Sequence, residues 1–230
     1  MVSRKSSTDA SAESNVRRSD VKLVLLGDSG VGKTSLATRL VHNEFHPFQE
    51  STIGASFLSK TILVTRSVAE EGSNTESDSS RALHASDTEE CQVDFKIWDT
   101  AGQERYQSLT PLYFRGARVA VLVFDVCRLH SFQTLQTWVD TLSQNGPEDI
   151  ILAVVGNKSD LADHRSVKEE DARQFAEKVG AFYVESSARD NQNVQELFDE
   201  LARRVAQTSI PRNNESTIDL DEAPNTSRCC

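Results

Sequence analysis

The sequence predicts a three-layer α/β sandwich, and two observations carry that expectation. Apolar runs of strand length recur at 21–27, 118–125, 150–156 and 181–186, each near-continuous in the manner of strands buried on both faces. Between them lie amphipathic patterns of helical period, and strand–helix alternation implies a mostly parallel sheet with right-handed crossovers.

Taken in order, residues 1–19 are rich in Ser, Asp and Arg without periodicity and read as a disordered lead. A domain spanning 20–207 follows, opening with the run Val21 to Gly27. Residues 57–65 and 92–98 read as two further strands, making six. They are separated by 66–90, which holds eight Ser/Thr, seven acids and no aromatics, and is expected to be a flexible acidic insertion. Ser131 is positioned to cap a helix whose inward face carries Phe132, Leu135, Trp138, Val139 and Leu142. Ser166-Val167-Lys168-Glu169 reads as a capping box opening a helix that Gly180 ends. Asn193 is expected to cap a last helix with Val194, Leu197, Phe198, Leu201 and Val205 inward. Residues 208–230 are again polar and aperiodic.

Net charge is −10, which argues against nucleic acid as a partner. No apolar run approaches the roughly 20 residues that span a bilayer, and no secretory h-region is seen, so a cytosolic location is expected. The four cysteines, Cys91, Cys127, Cys229 and Cys230, show neither zinc spacing nor a disulfide framework.

The chemistry starts at Gly27-Asp28-Ser29-Gly30-Val31-Gly32-Lys33-Thr34, between an expected strand and an expected helix. Such a loop turns successive backbone N–H groups inward as an anion nest at a helix N-terminus. Lys33 is expected to reach β- and γ-phosphate oxygens, and the Thr34 hydroxyl to ligate Mg²⁺. Asp99-Thr100-Ala101-Gly102-Gln103 follows another strand. There Asp99 can hold Mg²⁺ through water, the Gly102 amide can approach the γ-phosphate, and Gln103 can orient an attacking water. Asn157-Lys158-Ser159-Asp160 carries base choice. One carboxylate, Asp160, can accept both N1–H and N2–H₂ of guanine, a donor pair adenine lacks, while Asn157 braces the loop and the Lys158 stem covers the ring. Ser187-Ala188-Arg189 can offer a backbone N–H to guanine O6, and Thr52 sits where it can gain or lose contact with metal and γ-phosphate.

With these motifs in order, residues 20–207 outside the 66–90 insertion resemble the Ras superfamily, and more narrowly its Rab family. The resemblance rests on GDSGVGKT at 27–34, STIGA at 51–55, WDTAGQERY at 98–106, NKSD at 157–160 and SSAR at 186–189. The stretch FHPFQESTIGASF and the Cys229-Cys230 ending look like the branch that acts on early endosomes. It implies a P-loop G domain with one antiparallel edge pair of strands and Mg²⁺ as cofactor. The implied nucleotide contacts are Ser29, Gly30, Val31, Gly32, Lys33, Thr34, Ser35, Phe45, Thr52, Gly102, Asn157, Lys158, Asp160, Ser187, Ala188 and Arg189. Lys33 and Gln103 would be the catalytic pair, with Thr34, Thr52 and Asp99 at the metal.

By the same resemblance, residues 46–56 and 101–116 would be nucleotide-sensing switches, and Phe57, Trp98 and Tyr113 an effector-reading patch. The implied partners are GTP and GDP, an exchange factor, a GTPase-activating protein, a GDP-dissociation inhibitor, an escort protein and effectors, with the protein a monomer. Residues 208–230 carry two bases against four acids, so no polybasic attraction to anionic lipid is expected. Prenyl groups on Cys229 and Cys230 would supply the two lipid chains that stable anchoring needs. Departures from the family are Arg189 in place of a lysine, Ser29, and the insertion. Two other readings stay open at this point: a GTP-binding scaffold without turnover, and a P-loop nucleoside kinase or ATPase.

Overall fold

The computed structural model describes residues 16–67, 88–102 and 113–208. Six strands form one sheet: β1 (Arg17–Leu26), β2 (Ala55–Ser67), β3 (Thr88–Thr100), β4 (Val119–Asp125), β5 (Ile151–Asn157) and β6 (Phe182–Ser186). Their order is β2-β3-β1-β4-β5-β6. β2 and β3 pair antiparallel, and every other neighbouring pair is parallel. The helices are α1 (Lys33–His42), α2 (Leu129–Gln133), α3 (Leu135–Asn145), α4 (Glu169–Lys178) and α5 (Val194–Gln207), with a 3₁₀ segment at Ser159–His164.

Period-2 alternation along the strands divides the core into two layers. On one face Leu23 and Leu25 of β1 meet Leu36 of α1 and Leu197, Phe198 and Leu201 of α5. On the other, Val24 and Leu26 meet Phe114, Leu135, Trp138 and Ala172. Edge-to-face rings lock each layer: Phe95 with Phe198 at 6.4 Å, and Phe132 with Phe175 at 5.6 Å. The expected three layers and the single antiparallel edge pair are therefore present.

Five boundaries and caps differ from expectation. β1 begins at Arg17, because β3 is long enough to pair with it from Cys91 onward; residues 17–19 belong to the sheet, and 1–15 lie outside the described residues. The β2–β3 ladder likewise continues to Ser67↔Thr88, so both ends of the 66–90 insertion are strand. Arg66 explains this: its Nε donates to Glu89 at 2.9 Å and its Nη1 to the Ala206 carbonyl of α5 at 3.1 Å. The interior of the insertion, 68–87, lies outside the described residues.

Ser131 does not cap a single helix. It sits inside α2, fully buried, because its hydroxyl bridges the end of β4, accepting from the Asp125 N–H and donating to the Arg128 carbonyl. The capping box at 166–169 also fails to form. The Ser166 and Val167 amides both donate to the Val126 carbonyl, which holds that stretch outside the helix until Glu169. Asn193 stands at the N-terminus of α5 but turns its amide to the Glu185 carbonyl instead. Gly180, in left-handed conformation, does follow the end of α4 as expected.

Candidate functional site

β1 lies between β3 and β4, where the order of strands reverses, and the carboxyl ends of β1, β3, β5 and β6 face one crevice. In open α/β sheets this is the position at which ligands bind. A cavity of about 510 Å³ occupies it. Its lining brings together Ser29, Gly30, Gly32, Lys33, Thr34, Ser35, Phe45, Thr52, Gly102, Asn157, Lys158, Asp160, Ala188 and Arg189 from the expected set. Val31 and Ser187 stand behind the wall: Val31 is buried in the core, and Ser187 supports Asp160. His46, Pro47, Gln49 and Glu50 add to the rim. Gln103, Cys229 and Cys230 fall outside the described residues.

The loop from β1 to α1 is held from several sides. Lys33 is buried, and its ammonium donates to the carbonyls of Gly27 at 2.7 Å and Asp28 at 2.9 Å. Burial lowers its pKa to about 8, against the opposing pull of the Asp99 and Asp28 carboxylates and with the Arg128 charge adding to the drop. Lys33 is thus a cation held largely out of water, which an anionic ligand would stabilise. Gly32 is required twice over. Its φ is 99°, and a Cβ would lie 2.2 Å from the Asn157 amide nitrogen. At Gly102 a Cβ would sit 2.4 Å from the Asp28 carbonyl carbon and from the Ser29 nitrogen, so the loop after β3 touches the phosphate-type loop directly.

Beside it, one buried carboxylate gathers three hydroxyls. Asp99 Oδ2 accepts from Thr34 at 2.6 Å, Ser56 at 3.3 Å and Thr52 at 3.5 Å, while Thr34 and Thr52 are 2.9 Å apart. Burial pushes the Asp99 carboxyl up, against those hydrogen bonds and the Lys33 charge. Its Oδ1 is buried and has no hydrogen-bond partner among the described residues. An unpartnered carboxylate oxygen beside two threonine hydroxyls is an all-oxygen donor set of the kind Mg²⁺ takes.

At the other end of the cavity, Asn157 joins three segments. Its Nδ2 donates to the Val31 carbonyl at 2.8 Å, and its Oδ1 accepts from the Ala188 amide at 3.3 Å and the Ser186 hydroxyl at 3.4 Å. These contacts tie the loop after β5 to the phosphate-type loop and to the loop after β6, and of the Ser187-Ala188-Arg189 segment expected to offer an N–H to a base, the Ala188 N–H donates to Asn157. The Asp160 side chain is 6% exposed, accepts from Ser187 Oγ at 2.6 Å, and has Arg189 Nη1 at 3.4 Å. Phe57, Trp98 and Tyr113 lie together outside the cavity, with ring centroids 6.0 and 6.1 Å apart in sequence.

Several supporting residues carried no motif. Buried Asp125 pairs at 2.7 Å with Lys158, whose backbone stands at φ 68°. Arg39 of α1 donates to the carbonyls of Ala188 at 2.9 Å and Arg189 at 3.0 Å, fixing the last loop to the first helix. Arg128 and Thr134 reach the Ser29 carbonyl and the Asp28 carboxylate. Their only sequence signal is polarity next to strand ends, which is common to many loops.

A six-stranded sheet of this order, with a lysine-bearing loop at its switch point and an Asn-Lys-Ser-Asp loop on the next strand but one, defines the class of small GTPases. The Ras family model matches residues 22–207. Among curated relatives, Ras-related protein RABF2b of Arabidopsis thaliana is 42% identical, over 92% of this chain and 95% of its own. Ras-related protein Rab-31 of Homo sapiens is 40% identical, over 92% and 97% respectively. Ras-related protein Rab-22A of Mus musculus is 39% identical, over 92% and 98%. The chain belongs to the Ras family, as a Rab-type small GTPase that hydrolyses GTP and serves vesicle trafficking.

Proposed function

We propose that this GTPase is a two-state switch on endocytic membranes, with Asp160 selecting guanine and the Thr34–Thr52–Asp99 cluster sensing the γ-phosphate. The observation that carries this is the reach of Thr52, in the segment before β2, to Thr34 in the phosphate loop at 2.9 Å. That contact lets one ligand hold two separate parts of the chain, and its removal would free residues 46–56. Mg²⁺ would be held by the Thr34 and Thr52 hydroxyls and, through water, by Asp99; when bound it neutralises phosphate charge. The unpartnered Asp99 Oδ1 supports that fit.

Lys33 would hold the β- and γ-phosphates, and the Gly102 amide the γ-phosphate. Gln103 would orient the attacking water. Turnover by the chain alone is then slow, on the order of 10⁻⁴ s⁻¹, and a GTPase-activating protein accelerates it. An exchange factor, a GDP-dissociation inhibitor and an escort protein complete the cycle. Effectors read the exposed Phe57 with Trp98 and Tyr113 in the GTP state. Two prenyl groups on Cys229 and Cys230 anchor the chain. Among the described residues no helix is long and apolar enough to cross a membrane. Relatives named Rab5 and Rab-22A support an early endocytic site.

Single-turnover GTP hydrolysis by the wild-type chain and Gln103→Leu tests the switch. Slow wild-type turnover and a still slower variant are expected, with GTP binding retained in both. Equal rates in the two would remove Gln103 from the mechanism.

A further inference from the structure

Resting on the reading of the cavity as a guanine-nucleotide site, we propose that Arg128 is a positioning residue of the phosphate loop. From outside the cavity it holds the Ser29 carbonyl, and so aims the Gly30 amide at the phosphates. Arg128 Nη2 donates to Ser29 O at 2.7 Å, across 99 positions of sequence. That carbonyl belongs to the peptide joining Ser29 to Gly30, and there are no cis peptides among the described residues. In a trans peptide the N–H points opposite to the C=O. Ser29 and Gly30 line the cavity, whereas Arg128 does not. Drawing the carbonyl to the Arg128 side therefore turns the Gly30 N–H the other way, as an anion nest requires.

The backbone that carries this exposed guanidinium is itself firmly placed. The Arg128 amide donates to Asp125 O at 2.9 Å, and its carbonyl accepts from the fully buried Ser131, through Oγ at 2.7 Å and N at 3.0 Å. A second strap lies alongside: Thr134 Oγ1 donates to Asp28 Oδ1 at 2.9 Å. The segment 128–134 thus grips two consecutive residues of the phosphate loop. Arg128 and the buried Lys33 are two cations bonded to carbonyls of the same loop. Repulsion between two cations flanking the loop is relieved when polyphosphate enters, so Arg128 favours the filled site over the empty one. A charge-assisted bond that shapes the loop should therefore appear in nucleotide residence time.

The test is release of a fluorescent GDP from the full chain in Mg²⁺, for wild type, Arg128→Ala, Arg128→Met and Arg128→Lys. Release is expected to quicken about tenfold in the Ala and Met variants. Arg128→Lys, which keeps a cationic donor, should recover most of the loss. The thermal midpoint of the GDP-loaded Ala and Met variants should fall while that of the nucleotide-free chains stays at the wild-type value. Unchanged GDP release in both variants would overturn the proposal. So would an equal loss of midpoint with and without GDP, which would make Arg128 merely structural. Failure of the wild-type chain to bind GDP at all would instead overturn the underlying site reading.

Discussion

Asp160 Oδ1 accepts a 2.6 Å hydrogen bond from the Ser187 hydroxyl, so the loops that follow β5 and β6 are fastened through one carboxylate. Ser187 is buried and the Asp160 side chain nearly so. The carboxylate is thereby held in one orientation before any ligand arrives, which lowers the cost of binding. Its second oxygen faces the exposed Arg189 at 3.4 Å.

Asp160→Asn should weaken GDP binding by about 100-fold or more, because the amide presents a donor towards guanine's own donors. Xanthine nucleotide, with acceptor character at that edge, should bind the variant better than guanine nucleotide does. Competition binding with the two diphosphates measures this.

Thr34→Ala removes the hydroxyl at 2.6 Å from Asp99 and one member of the oxygen cluster. Magnesium should then lose most of its effect on GDP release. Off-rates with excess Mg²⁺ and with EDTA should differ widely for wild type and little for the variant.

Glu185 makes a bidentate pair with Arg165 at 2.7 Å for each oxygen and accepts from Tyr183 at 2.8 Å. Burial acts to raise its pKa, but the Arg165 and Tyr183 bonds and the nearby arginine charges outweigh it and hold the carboxyl below its ordinary value. The folded pKa lies below the unfolded one, so the stability is present above the unfolded value and fades as pH falls through the folded value. Glu185→Gln should cost about 2 kcal/mol at neutral pH and flatten the acid side of the stability profile. Urea unfolding between pH 3 and pH 7, roughly the span over which a carboxyl titrates, would show it.

Replacing residues 68–87 by an Asn-Gly turn should leave GDP affinity unchanged. The β2–β3 ladder runs to Ser67↔Thr88 and is pinned to α5 by Arg66, so a two-residue hairpin can close it. A large loss of affinity would mean that the insertion serves the nucleotide site.

The sheet and the site loops were legible in the sequence because each followed from a dense local pattern. Four near-continuous apolar runs mark strands, and Gly27 to Thr34 sits between a strand and a helix as its chemistry demands. What escaped was decided by contacts distant in sequence. Strand ends at Arg17 and Ser67 are polar, and only their partners on β3 make them strand. Ser131 and Ser166 look like helix caps from composition. A buried turn after β4 uses the Ser131 hydroxyl and the Ser166 amide for other bonds. Asp125, Arg39 and Arg128 act on the site through a single side-chain contact each or a pair, over distances in sequence that no motif spans.

Whether Asp160 selects guanine while the loop around Lys33 grips phosphate is decided by the nucleotide that travels with the protein. Chain purified gently in Mg²⁺, then denatured and analysed by chromatography, should release GDP or GTP in near-equal amount to protein. Release of adenine nucleotide, or of none, would contradict the account.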